Sequence, residues 1–323
     1  MVAGATPRVD VCVLTWNSRD VSLAALERTL ASEQGVPFRV LVRDNASGDG
    51  TADAIAARFP DVDLDRGTAN LGFAGGMSAL VSRGSAPFVL LLNGDAWLEP
   101  HALDALLAVA EAQPDAALVV PRVERPDGTL EHTTWPYPSG ALSFLYATGA
   151  HRLVPRSLKA RWLLEPAWRH DAVRRVGWAV GAAWLMPRVA LAEVGGLDAS
   201  LFMYGEDLDW CWRARARGRS IWFTPAAVVR HVGNASGAAG YGERVAEMKA
   251  RAAEVVVHRH RGAVRAGAYR AAELLLLGRL LVTYRMTRDQ ARAGYVRAAL
   301  RGHLHPRTAV PAPASVVESA EVG

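Results

Sequence analysis

The residues of this chain best suited to chemistry are oxygen donors placed where apolar runs stop. Phe88 to Leu92 is continuously apolar and ends at Asn93-Gly94-Asp95. That pattern predicts a strand buried on both faces, closed by a turn that presents a carboxylate. Ligands of open α/β sheets sit outside the carboxyl ends of the strands, so Asp95 is expected at the mouth of a site. A single carboxylate among hard oxygen groups suits Mg²⁺ or Mn²⁺ better than Zn²⁺. Taken alone, Asn-Gly-Asp is equally a plain turn. Further on, Glu206-Asp207 opens an expected helix that runs to about Arg217. Acidic residues in a first helical turn are favoured by the macrodipole and often only cap it. His231 follows an expected strand, Ala227 to Arg230, and a solitary His is usually structural.

The elements that would position these groups follow a regular order. Val9 to Thr15 is a β-branched run that leads through Trp16-Asn17-Ser18 into helical spacing over Val21 to Leu30. Phe38 to Val42 is a second strand, ending at Arg43-Asp44-Asn45, and helical spacing resumes from Thr51 to Phe59. Strand, polar loop and helix in alternation predict βαβ units with a mostly parallel sheet flanked by helices. Polar groups gather at the same end of each strand: Thr15 and Asn17, Asp44 and Asn45, Asn93 and Asp95. Hydroxyl, amide and carboxylate groups on three neighbouring strand tips describe a nucleotide-sized cleft. The segment Asn70-Leu71-Gly72 to Gly75-Gly76 allows close backbone approach, with a helix expected to start near Ala74 or Gly75. Gly-x-x-Gly-Gly is not the dinucleotide fingerprint and does not follow the first strand, which argues against a dehydrogenase.

The chain has 323 residues, half of them hydrophobic, enough for one large domain with an appendage or for two domains. Cys12 and Cys211 both fall in expected core elements, which predicts no disulfide framework and a reducing cytosol. No secretory leader and no apolar stretch of membrane-spanning length are evident. Charge is unevenly spread: Glu243 to Arg307 carries 14 Lys and Arg against 5 Asp and Glu, within a chain of net charge +5. Such a basic region points to an anionic surface as partner.

Six ordered blocks resemble glycosyltransferase family 2. They are Asp44 to Thr51, Asn70 to Gly76, Leu91 to Asp95, Gly181 to Arg188, Val194 to Asp198 with Phe202 to Trp210, and the region of His231 to Ser236. In flavour they are similar to the bacterial rhamnosyltransferase and galactofuranosyltransferase branches. The resemblance implies a GT-A (Rossmann-like) α/β fold, a nucleotide-sugar donor, a divalent metal (Mg²⁺ or Mn²⁺) and inversion at the anomeric carbon. It implies that Asp44 contacts the base or ribose, that Thr15 and Asn17 line the base pocket, and that Asn45, Asn70, Gly72 and Asn93 border the nucleotide sugar. Asn93-Gly94-Asp95 takes the place of the family's Asp-x-Asp, with Asn in the first position, so the metal contact falls to Asp95. By the same resemblance Asp207 is the catalytic base and Glu206 orients a substrate hydroxyl. Gly181 and Trp184 would floor the acceptor site, and His231 would coordinate the metal or touch the diphosphate.

The implied function is an inverting hexosyltransferase that builds cell-wall or surface polysaccharide on a lipid-linked acceptor. dTDP-rhamnose is the first expected donor and UDP-galactofuranose the second. Two other classes stand beside it: a non-catalytic nucleotide- or glycan-binding module, and a nucleotidyltransferase. The expected organisation is a catalytic domain over residues 1–240, with a donor half over 8–120 and an acceptor half over 121–240. A basic helical extension would follow over 241–305, then a disordered tail over 306–323. The stretch Pro121 to Pro166 carries aromatic residues suited to sugar stacking or plain packing. The leucine-rich run Ala271 to Val282, with its arginines, is too charged to span a bilayer and is expected to lie at a membrane surface, the alternative being a helical appendage packed on the catalytic domain or on another subunit. Expected partners are thus the donor, the glycan acceptor and a membrane surface, without nucleic acid and with room for a homo-oligomer. The expected location is cytoplasmic, peripheral on the inner face of the cell membrane. Asn234-Ala235-Ser236 also fits a glycosylation sequon, of little weight without a leader.

Overall fold

β1 (Val9–Thr15) and β4 (Phe88–Asn93) are the continuous apolar runs that predict doubly buried strands, and both are nearly inaccessible along their length. The computed structural model describes residues 6–162, 168–233 and 244–306. In chain order its first elements are β1, α1 (Arg19–Ala31), β2 (Phe38–Asp44), α2 (Thr51–Arg58), β3 (Asp63–Arg66), α3 (Gly72–Arg83) and β4. Next come β5 (Ala96–Leu98), α4 (Ala102–Ala112), β6 (Ala116–Glu124), β7 (Leu130–Glu131), β8 (Thr134–Trp135), α5 (Gly140–Ala147) and α6 (Arg156–Arg161). The remainder is β9 (Arg174–Val176), β10 (Trp178–Ala179), β11 (Ala183–Pro187), α7 (Arg188–Val194), α8 (Glu206–Ala216), β12 (Ser220–His231), α9 (Arg244–Met286) and α10 (Gln290–Leu304).

The described chain divides into two compact units. The first comprises Met1–Trp135, His170–Phe202 and Asp209–Ser236 and contains the large sheet. Its strand order is β3-β2-β1-β4-β11-β6-β12-β5, with β7 paired to β6 and β9 to β12. The strands β3, β2, β1 and β4 are parallel, as the alternation of strands and helices predicts. β11 then enters antiparallel between β4 and β6, and β12 runs parallel to β6. Valines and leucines of the central strands pack with Leu26, Ile55, Leu103 and Leu106 in one core. At 25 cal/mol per Å² such side chains each contribute about 1.5–3 kcal/mol when fully buried. The strand expected over Ala227 to Arg230 is the last third of β12, which is bulged between Thr224 and Val228.

Helix α3 starts at Gly72, two residues before the expected point. The early start follows from local hydrogen bonds: Asn45 Oδ1 accepts the N–H of Leu71 at 3.2 Å, and Asn70 Oδ1 accepts that of Gly72 at 2.9 Å. Gly72 has φ 70°, and its missing Cβ leaves room for the carbonyl of Phe202. Cys12 and Cys211 are both buried and free, as expected.

The second unit comprises Pro136–Arg169, Met203–Leu208 and Gly237–Gly323. Within it α9 is broken at Gly262, where φ is 76° and ψ 170°. Ala246, Ala250, Leu277, Val296, Ala298 and Ala299 form the core between α9 and α10. Buried Glu254 binds His303 Nδ1 at 2.8 Å and Arg270 Nη2 at 3.0 Å, so the charge carried inside is paired. Among the described residues no helix is long and apolar enough to cross a membrane. The Asn234–Ser236 sequon and the tail beyond Pro306 lie outside the described residues.

Candidate functional site

Parallel pairing in register brings the polar strand tips together. Thr15 pairs with Asp44 across β1 and β2, and Leu14 pairs with Asn93 across β1 and β4. Thr15 Oγ1 donates to Asp44 Oδ1 at 3.3 Å, and Asp44 Oδ2 accepts the N–H of Ser47 at 2.9 Å. Asn17 sits at φ 45°, donating its N–H to Ser47 Oγ and accepting the N–H of Gly48, each at 2.9 Å. These bonds hold the β1 and β2 loops in a single shape. Asn45 joins a second cluster: its Nδ2 donates to Asn70 Oδ1 at 2.8 Å and to the Gly72 carbonyl at 3.1 Å. Thr15, Asn17, Asp44 and Asn45 therefore lie on adjoining loops at the carboxyl ends of β1 and β2, and Asn45 ties them to Asn70 and Gly72 in the connection from β3 to α3.

A third cluster lies at the end of β4. The turn Asn93-Gly94-Asp95 runs so close to β1 that a Cβ on Gly94 would sit 2.6 Å from the Leu14 carbonyl oxygen. Only glycine fits there without displacing backbone, and this close approach fixes where Asp95 points. β12 pairs with β5 so that His231 faces Ala96, the residue after Asp95. As a result His231 Nε2 lies 3.1 Å from Asp95 Oδ1 and 3.3 Å from Asn93 Nδ2. The other ring nitrogen, Nδ1, lies 3.0 Å from Glu131 Oε2. Burial disfavours a charged imidazole here, but the hydrogen bonds and negative charges of Asp95 and Glu131 outweigh it and raise the His231 pKa to about 9.

Carboxylate oxygen and imidazole nitrogen side by side are a donor set that fits a divalent cation. Among the described residues no group of three or more His, Cys, Asp or Glu is arranged to hold a metal by itself. Asp95 and His231 would thus hold the ion together with oxygens from a ligand, the usual situation of an ion bound with a diphosphate.

Glu131 carries no sequence signal of its own. The signal that could have found it is Pro126-Asp127-Gly128, a turn sequence directly after a strand. That turn closes the β6–β7 hairpin, in which Glu131 pairs with Val123. Trp184 turns inward: it is 1% exposed, donates its indole N–H to the Val180 carbonyl at 2.9 Å, and packs against Trp210. Gly181 lies against the ring of Phe73.

Glu206 and Asp207 belong to the second unit and open α8 as expected. Asp207 Oδ1 accepts the N–H of Leu208 at 2.7 Å. Glu206 is 6% exposed, and its Oε2 has no hydrogen-bond partner among the described residues. Burial first, and then the charge of Asp207, push its carboxyl well above the usual carboxylate range. In the first unit, Asp209 and Arg213 form an ion pair at 2.8 Å one helical turn apart, and Cys211 and Trp212 of the same helix are buried.

Residues 7–253 match the family model described as "Glycosyltransferase like family 2". The chain belongs to this family. Members of glycosyltransferase family 2 transfer sugars, and this chain is a glycosyltransferase with a GT-A fold. It is 33% identical over 222 residues to the N-acetylglucosaminyl-diphospho-decaprenol L-rhamnosyltransferase of Mycobacterium tuberculosis, a match covering 63% of this chain and 68% of the relative. Two solved structures share the fold. One is a mannosyltransferase, PcManGT, from Pyrobaculum calidifontis in complex with GDP-Man and Mn²⁺ (TM-score 0.56, 18% identity, 94% of this chain and 89% of that one). The other is GalNAc-T7 with UDP, GalNAc and Mn²⁺ (TM-score 0.52, 13% identity, 69% and 42%).

Proposed function

We propose that this family 2 enzyme transfers a sugar, with inversion, from a nucleotide donor to a hydroxyl of a lipid-linked glycan. The observation that carries the reading is the convergence of Asp95, His231 and Asn93 on one side and Thr15, Asn17 and Asp44 on the other, all at the carboxyl ends of parallel strands. The first cluster suits a cation with a diphosphate, and the second suits a base and ribose. The rhamnosyltransferase relative supports dTDP-rhamnose as the donor ahead of UDP-galactofuranose, and a polyprenyl-diphosphate-linked sugar as the acceptor class.

Each residue then has a task. Thr15 and the Asp44 carboxylate fix the nucleoside, and Asn45 with Asn70 holds the backbone of the α3 start beside it. Asp95 and His231 would hold the divalent ion, Mg²⁺ or Mn²⁺, which when bound would neutralise charge on the departing diphosphate. The acceptor oxygen bonds to the anomeric carbon while the bond from that carbon to the diphosphate breaks, its electron pair leaving with the diphosphate. Asp207 takes the proton of the acceptor hydroxyl, a service worth about 10²–10⁴-fold in rate. Glu206, favoured in its protonated form, is suited to donate a hydrogen bond to a substrate hydroxyl.

Residues 1–240 form the catalytic part on this reading, and 241–305 an extension that rests on an anionic membrane. Val264, Leu275, Val282 and Met286 are exposed, and their spacings return to within about 40° of one line along the helix. Arg265, Arg285 and Arg288 are exposed on the same helix and its end. An apolar stripe with flanking arginines suits an interfacial position. Cosedimentation with phosphatidylglycerol vesicles tests this, and binding no better than to neutral vesicles would refute it.

The donor experiment is nucleoside-diphosphate release from a panel of nucleotide sugars with Mn²⁺ or Mg²⁺. Turnover of dTDP-rhamnose above all others supports the reading. Preferential turnover of another donor overturns its sugar, and binding of none overturns its donor chemistry.

A further inference from the structure

The β6–β7 hairpin delivers a carboxylate that the mechanism above leaves unused. Its turn is tightly specified: the Arg125 N–H bonds to the Thr129 carbonyl at 2.8 Å, Gly128 takes φ 84°, and Asp127 Oδ1 accepts both the N–H and the hydroxyl of Thr129. Antiparallel pairing of Glu131 with Val123 then sets the side chain beside the end of β12, since β12 is the parallel neighbour of β6 and Val229 lies opposite Val123. Glu131 Oε2 ends 3.0 Å from Nδ1 of His231, whose side chain is only 8% exposed.

We propose that Glu131 is a positioning residue that orients His231 toward the cation shared with Asp95. The inference rests on the reading of Asp95 and His231 as the cation-holding pair. An ionised carboxylate only accepts hydrogen bonds, so the proton on Nδ1 is held by Glu131. A cation seated beside Asp95 would displace the proton from Nε2, the nitrogen that faces Asp95 Oδ1 at 3.1 Å, and leave the one on Nδ1 with Glu131. A carboxylate behind a histidine ligand fixes both tautomer and ring orientation and makes the ligand nitrogen more basic. Pinned at Nδ1 by Glu131, the ring presents Nε2 to the Asp95 side with little freedom to turn away.

The test is Mn²⁺ affinity of the full chain in the presence of dTDP, read from the free Mn²⁺ electron paramagnetic resonance signal. Wild type, Glu131→Gln, Glu131→Ala and His231→Ala are compared. The expected result is a loss of Mn²⁺ affinity of about 10- to 100-fold in Glu131→Ala, and a smaller loss in Glu131→Gln, which keeps an acceptor oxygen. Metal-free dTDP binding should stay at its wild-type value, and excess Mn²⁺ should restore turnover. If both Glu131 variants bind Mn²⁺ within twofold of wild type while His231→Ala does not, the positioning role is overturned and the cation site stands. If His231→Ala also binds Mn²⁺ as wild type does, the cation reading of His231 falls and takes the proposal with it. Should Glu131→Ala fail to fold, the near-isosteric Glu131→Gln decides alone.

Discussion

Asp95 Oδ1 and His231 Nε2 lie 3.1 Å apart, although 136 residues separate them in the chain. The pairing of β12 with β5 creates this contact, because His231 stands opposite Ala96. One of the two groups is set by a turn that glycine alone permits, the other by the last residue of a bulged strand. If they hold the ion together, His231→Ala should lower kcat by about 10²- to 10³-fold, the range seen when one preorganised charge-stabilising group is lost. Steady-state kinetics across Mn²⁺ concentrations checks this. Unchanged kcat with an unchanged Mn²⁺ requirement would remove His231 from the site.

The buried carboxyl of Glu206 makes stability pH-dependent in a stated direction. Its folded pKa lies above the unfolded value, for reasons of burial and of the neighbouring Asp207 charge. The contribution is therefore complete below the unfolded pKa, about 4.3, and is lost as pH rises toward the folded pKa. Glu206→Gln should match wild type in urea unfolding near pH 4 and become progressively more stable than wild type from pH 5 to 8. Parallel curves across that range would mean that Glu206 is not held neutral.

Asp10 behaves in the opposite sense. It is 0% exposed, and it accepts hydrogen bonds from Arg39 Nε at 2.7 Å, Arg188 Nη2 at 2.8 Å and the Ala86 N–H at 2.8 Å. Burial works against the charged form, but the Arg39 and Ala86 hydrogen bonds with the charges of Arg39 and Arg188 prevail and lower the pKa. This stability is present above the unfolded pKa of about 3.9 and lost as pH falls through the lowered folded value. Asp10→Ala should cost about 3–5 kcal/mol at pH 7, as expected for breaking a buried charge pair, and much less at pH 2. Chemical denaturation at both pH values measures the difference.

The donor side of the fold was legible because it is local. Each βαβ unit announces itself by an apolar run, a polar loop and a helical period, and parallel pairing then aligns Thr15, Asp44 and Asn93 without further information. The other half of the sheet was less open to such reading. Nothing in Ala183 to Pro187 says that the strand will run antiparallel between β4 and β6, since hydrophobicity reports burial and not pairing partner. Trp184, expected to floor the acceptor site, spends its ring and N–H inside the protein. Glu131 escaped notice because its meaning comes from a hairpin register and a residue one hundred positions away.

On the proposed mechanism Asp95 serves the departing diphosphate and Asp207 takes the acceptor proton. Single-turnover transfer from dTDP-rhamnose to a lipid-linked acceptor, measured for wild type, Asp95→Asn and Asp207→Asn at saturating Mn²⁺, tests it most directly. The account predicts that Asp207→Asn binds the donor normally but transfers about 10²- to 10⁴-fold more slowly, while Asp95→Asn loses both Mn²⁺-dependent donor binding and transfer. Transfer by Asp207→Asn at the wild-type rate would rule out Asp207 as the base.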